Sequence, residues 1–180
     1  MTGAVVRAAV ATHVADASPV AALRERLYEL MRLVLTLSPD AYRMRTSRVS
    51  GSVGEHVRHV LDHLSSLVAA CPFAVLSYDH RTRGTAVEVD PSAAVREMMR
   101  LDAALERWVD RTLNEPVAVE AVLSTDGRSV TGWSTLGREL AFVMSHTIHH
   151  QAIVALLLEQ QGSDVPDEHF GYAPSTPQRN

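Results

Sequence analysis

A chain of 180 residues is long enough to bury a real core in one domain, and 46% hydrophobic with 21% charged residues is the make-up of a soluble globular protein. A net charge of -4 with histidine neutral excludes a general attraction to nucleic acid, and the few aromatic residues argue against stacking surfaces for single strands. One cysteine, Cys71, excludes an internal disulfide, so a reducing cytoplasm is the expected setting.

Residues 1–17 carry little pattern and are expected to be a flexible N-terminus. Arg7 and His13 interrupt their Ala/Val run, so no signal peptide is expected. Ser18-Pro19 then supplies an N-cap followed by proline at the first helical position. Leu23, Leu27, Leu30, Met31, Val34 and Leu35 recur at three and four, predicting an amphipathic helix to about Leu37. Ser38-Pro39-Asp40 stops it, and residues 39–50, polar and basic, read as a loop.

Ser52 followed by Glu55 is a capping-box pattern that opens a second helix, Val53 to about Ala70. Residues 71–90 read as a long connection. Within it Arg81 and Arg83 could hold an anionic ligand, since guanidinium forks match carboxylate or phosphate; the alternative is a solvated loop with salt bridges. Asp90-Pro91 starts a third helix, with Ala94, Met98, Leu101, Leu105, Trp108, Val109 and Leu113 as its stripe, ending near Asn114 to Pro116. Residues 117–123 and 129–133 flank Asp126-Gly127, a turn signal, and predict a small hairpin or loop insertion. Ser134 or Thr135 caps a fourth helix that runs to about Gln161, with Gly162 as its stop.

The pattern is all-α: a four-helix bundle over residues 18–162, with the insertion before its last helix. Residues 163–180 are expected to be a tail whose Phe170 and Tyr172 pack back onto the bundle. No apolar run reaches the length of a membrane span, so no membrane partner is expected.

The chemistry lies in the histidines. His146 and His150 are four apart and project from one face, which suits two ligands of one metal ion. His56, His59 and His63 form a stripe beside the apolar face of the second helix. Burying several imidazoles without partners would cost about 1–3 kcal/mol each, whereas a shared metal or a water-lined cavity would satisfy them. Ordinary core or interface histidines are the alternative reading. His149 lies about 100° around the helix from His150, so it is expected to serve an interface, a substrate or a ligand imidazole rather than the same ion. Asp62 and Glu139 are candidate hydrogen-bond partners for ligand imidazoles, or else surface ion-pair residues. Thr147 stands where a zincin peptidase would carry its catalytic Glu, so that reading is weak.

The stretch Ser-Val-Gly-Glu-His-Val-Arg-His-Val-Leu-Asp-His (52–63), the stretch Ser-His-Thr-Ile-His-His-Gln-Ala-Ile (145–153) and the C-terminal Phe-Gly-Tyr-Ala-Pro-Ser-Thr resemble the DinB/YfiT-like metalloenzymes. The resemblance covers most of residues 18–177. It implies a four-helix bundle, often dimeric, with a divalent metal held by His59, His146 and His150. His56 and His63 remain as alternative ligands from the second helix; they read otherwise as polar residues of the helix face, or as residues that support a ligand imidazole, move a proton or meet a substrate. The family includes thiol-dependent transferases and a maleylpyruvate isomerase that uses mycothiol or bacillithiol.

Three neutral imidazoles leave a divalent ion its full charge and an open position, the pattern of a catalytic site. Zinc or nickel is expected, with iron or manganese as alternatives, because imidazole suits several metals. The expected partner is a small-molecule ligand or thiol. Two functions follow: a metal-dependent enzyme, such as a low-molecular-weight-thiol-dependent transferase or isomerase, or a non-catalytic metal-binding or ligand-sensing stress-related module. A homodimer is expected from the resemblance and from Leu156 and Leu158, which face away from the His146/His150 stripe on a helix apolar on more than one side.

Overall fold

The computed structural model describes residues 18–71, 74–79, 82–165, 167 and 169–176. The predicted flexible N-terminus, 1–17, lies outside the described residues, as does Arg81.

Helix α1 is Pro19–Val34, with proline in the first turn and the Ser18 hydroxyl accepting from Ala21 N–H at 3.0 Å. Its Leu23, Leu27, Leu30, Met31 and Val34 are buried, as their spacing requires, whereas Leu35, the C-cap of a helix that ends before Leu37, is exposed. A single-turn helix α2, Pro39–Arg43, follows where the sequence reads as loop. Its Tyr42 is fully buried and donates its hydroxyl to Val87 O at 2.8 Å. That anchor is 45 residues away in sequence, so no local pattern announces it.

Helix α3, Val53–Ala70, opens with the predicted capping box: Ser52 accepts from Glu55 N–H, and Glu55 accepts from Ser52 N–H. Against it lies the short helix α4, Ala86–Val89. The two backbones touch at Gly54, where a Cβ would sit 2.1 Å from Glu88 O, so a larger residue would force them apart. Helix α5, Pro91–Glu106, begins as predicted with Asp90 as cap but stops earlier. Trp108 still packs into the core, whereas Val109 and Leu113 are exposed. The chain leaves the helix because residues 113 and 115 are needed elsewhere: Leu113 O and Glu115 O accept from Gly137 and Leu136 N–H.

Strands β2 (Pro116–Val122) and β3 (Ser129–Thr135) pair antiparallel, Val119 opposite Gly132, so the hairpin is formed. A two-residue strand β1, Leu76–Ser77, adds in parallel to β2 and gives the sheet order β1-β2-β3. Helix α6, Leu136–Gln160, is capped by Thr135 and stops at Gly162, where Ser163 N–H reaches back to Leu158 O. The chain is therefore mainly helical with a small three-stranded sheet, not all-α.

Both α5 and α6 pack against α1 and against α3, which places the core between these four long helices. Between α1 and α5, Arg24 meets Asp102 at 2.7 Å and Tyr28 donates to the same carboxylate at 2.6 Å. By length and composition α6 could cross a membrane, contrary to the expectation from the sequence; that is weak evidence, because the core helix of a soluble protein has the same profile. Leu156 is 50% exposed, but Leu158 is fully buried inside the chain and is not available to a second copy. In the C-terminal segment Phe170 joins the core while Tyr172 is exposed.

Candidate metal centre

Five histidines meet where α3 packs on α6. Rows at i, i+3 and i+7 on α3 (His56, His59, His63) face the i, i+4 pair on α6 (His146, His150). Both helices are held from their first turn by side-chain caps, so the stripe positions are set by helical phase.

One ring nitrogen from each of His59, His146 and His150 lies within 4.8 Å of the others. Their ring centroids are 4.8 Å (His59 to His146), 4.7 Å (His59 to His150) and 4.5 Å (His146 to His150) apart. With metal–nitrogen bonds of about 2.1 Å, tetrahedral ligand nitrogens sit roughly 3.4 Å apart, so small side-chain rotations suffice to bring the three onto one ion. Burial, and then the neighbouring His146, His59, His56 and His149, depress the pKa of His150 to about 2. It is a neutral imidazole at physiological pH, the form that donates to a metal. The donor set fits a divalent cation.

His63 and His56 are in the cluster but are held differently from the three. His63, 4% exposed, donates Nδ1–H to His59 O at 3.0 Å. Its ring is stacked between Tyr78 at 5.0 Å and His146 at 3.9 Å. His56 places Nε2 2.9 Å from Ser50 O and Nδ1 3.0 Å from Nδ1 of His150. His149 is exposed and touches the cluster only by an edge contact with the His150 ring, at 5.2 Å.

Glu139 is neither a surface ion-pair residue nor bound to an imidazole in any described hydrogen bond. It is 6% exposed and accepts from the Tyr78 hydroxyl at 2.9 Å and the Ser134 hydroxyl at 2.6 Å. Burial, and then the Glu139 charge, raise the Tyr78 phenol far above its ordinary value, so it stays a donor. Asp62 pairs with Arg58, which also reaches Glu88 at 2.7 Å. Burial raises the Cys71 thiol, as expected of a small half-buried residue rather than a reactive one. Arg83 is exposed and makes no described hydrogen bond or ion pair.

Tyr78 and Phe142 are the wall residues that sequence reasoning missed. Phe142 stands four residues before His146 on the same stripe, a legible position, and its ring lies 6.0 Å from that histidine. Tyr78 has no such signal. It arrives on the segment after β1, which is pinned by Val122 N–H donating to Asp79 at 2.8 Å.

A separate cleft of about 690 Å³ lies between α1 and the C-terminal segment, lined by Glu29, Arg32, Thr36, Asp167, His169 and Phe170 among others. It includes none of the clustered histidines. Gln151, fully buried one residue beyond His150, serves that side: it donates to Arg26 O at 2.9 Å and ties α6 to α1.

Among known proteins, the family model described as the DinB family matches residues 21–176. Over 103 residues the chain is 34% identical to a protein named FK506-binding protein 5 from Rhizopus delemar, a match covering 57% of this chain and 26% of that protein. The chain thus spans about a quarter of the length of that curated relative. No solved structure matches.

Proposed function

The chain belongs to the DinB family, and from that premise we propose that it binds one divalent metal ion through His59, His146 and His150 and uses it in a reaction on a small molecule. The reaction class we assign is transfer or isomerisation dependent on a low-molecular-weight thiol. The observation that carries the reading is the approach of three ring nitrogens to within 4.8 Å across the α3–α6 interface. The packing of α5 and α6 against both α1 and α3 supports treating the four long helices as the bundle that holds the site.

A divalent ion at these residues would supply Lewis acidity and lower the pKa of a ligated thiol or water. The chain's own side chains do the rest. His150 stays neutral and keeps a lone pair available at physiological pH. His63 stacks on His146 at 3.9 Å and on Tyr78 at 5.0 Å, and so supports the His146 ring. Tyr78, held by Glu139, presents a phenol that remains protonated. Three histidine ligands leave coordination positions for substrate and thiol.

Elemental analysis of the purified protein tests the first half, with one equivalent of zinc or nickel expected. X-ray absorption at the metal edge tests the second. Three histidines plus an exchangeable light ligand support catalysis. Four protein ligands would instead support the alternative, a closed metal-binding or ligand-sensing module. A metal-free protein that takes up no zinc or nickel on titration would overturn both.

A further inference from the structure

We propose that His56 is a positioning residue: it holds His150 in the tautomer protonated at Nδ1 and so directs the Nε2 lone pair of His150 toward a cation. Only the last clause rests on the metal-binding reading above.

The argument begins at Ser50. Its carbonyl oxygen can only accept, and it lies 2.9 Å from His56 Nε2, so His56 carries its proton there. A neutral imidazole has one donor and one acceptor nitrogen, which leaves His56 Nδ1 with a lone pair. That lone pair faces His150 Nδ1 at 3.0 Å. Two lone pairs do not approach to that distance, so the hydrogen between them belongs to His150 Nδ1. With its hydrogen on Nδ1, the His150 imidazole keeps its lone pair on Nε2. The chain of donors runs from His150 through His56 to a backbone oxygen, the kind of outer contact that orients metal-binding histidines.

The backbone that ends this chain is built for the purpose. Gly51 has φ +91°, a left-handed conformation that side chains disfavour, and it turns the chain so that Ser50 O meets the His56 ring. A Cβ on Gly51 would lie 3.3 Å from His56 Nε2, inside the space of that hydrogen bond. The next residue, Ser52, is locked by the capping box with Glu55, which Arg45 also holds. His56 therefore sits on the first turn of α3 with both ring nitrogens committed, one to the cap segment and one to His150.

The test uses the full chain labelled with ¹⁵N-histidine and a two-bond ¹H–¹⁵N correlation on metal-free protein at neutral pH, with His150 assigned from the His150→Gln spectrum. The expected pattern is His150 protonated at Nδ1 and His56 at Nε2. In His56→Ala, His150 shifts to the Nε2-protonated form, and zinc affinity, measured by competition with a chromophoric chelator, falls about 10–100-fold. His56→Asn, whose amide oxygen can stand where Nδ1 stood, restores most of that affinity. His150 protonated at Nε2 in the parent protein overturns the inference. So does an unchanged zinc affinity in His56→Ala, or zinc bound by four histidines that become three in that variant. Should His56→Ala not fold, the parent spectrum still decides. A parent protein that binds no zinc would sink the metal reading, and the metal-free spectrum would then judge the tautomer alone.

Discussion

Two of the places where polar side chains are buried between helices are built on opposite plans. Between α1 and α5 a cation meets an anion: Arg24 lies 2.7 Å from Asp102, with Tyr28 donating to the same carboxylate. Between α3 and α6 five imidazoles gather ring against ring: His146 lies 4.8 Å from His59 and 3.9 Å from His63, and His150 lies 5.2 Å from His56. The first arrangement is complementary in itself, since the desolvation of each charge is offset by its partner. The second groups like with like, which disfavours protonation and concentrates lone pairs. That contrast is why one interface reads as structure and the other as a site.

The sharpest break of the comparison is to remove ligands. His146→Gln, His150→Gln or the double variant should abolish stoichiometric metal binding while leaving far-UV circular dichroism unchanged. Full metal content in the double variant would refute the site.

Next in size is the ion pair. Arg24→Ala leaves Asp102 largely buried without its cation, and the expected loss is about 3 kcal/mol in urea-monitored unfolding, toward the low end for buried pairs because both groups keep some exposure. Metal content should not change. A loss of metal in Arg24→Ala would show that the two interfaces are coupled.

Acid should separate the two plans by a smaller margin. The folded-state pKa of His150, about 2, lies below its ordinary 6.5, so the unfolded chain binds more protons between those values. Stability of the metal-free protein therefore rises with pH across that window and is lost as pH falls below about 6.5. Metal should dissociate over the same descent, because imidazole must lose its proton to coordinate. A metal-free melting temperature that is flat from pH 7 to 5 would contradict the burial assigned to His150. The smallest effect belongs to His149→Gln, which should leave metal affinity unchanged, since His149 is exposed and only its ring edge meets His150.

Much of the fold is legible in short stretches of chain because helix starts are local. Ser18-Pro19, Ser52 with Glu55, Asp90-Pro91 and Thr135 each place a side-chain acceptor over free backbone N–H groups a few residues ahead, and the structure begins a helix at each. The histidine stripes follow from the same periodicity. What failed was non-local. Helix α2 depends on Tyr42 finding Val87 O, β1 on a parallel partner in β2, and the early end of α5 on bonds to the start of α6. Glu139 reads from the sequence as a partner for an imidazole or a surface ion-pair residue, and only the arrival of Tyr78 and Ser134 makes it a buried acceptor of two hydroxyls.

The amino-acid sequence by itself determined which residue types face one another across α3 and α6, because helical phase is set by spacing and caps. Only the tertiary structure shows what each of His56, His59 and His63 meets. All three share one stripe, and nothing in their spacing separates them. What the ring nitrogens meet is a carbonyl one turn back for His63, and for His56 the Ser50 carbonyl on one side and His150 on the other. For His59, what is met is the pair on α6: one ring nitrogen each of His59, His146 and His150 lies within 4.8 Å of the others. These contacts act over a few ångströms, and they exist only once two helices and a turn have come together.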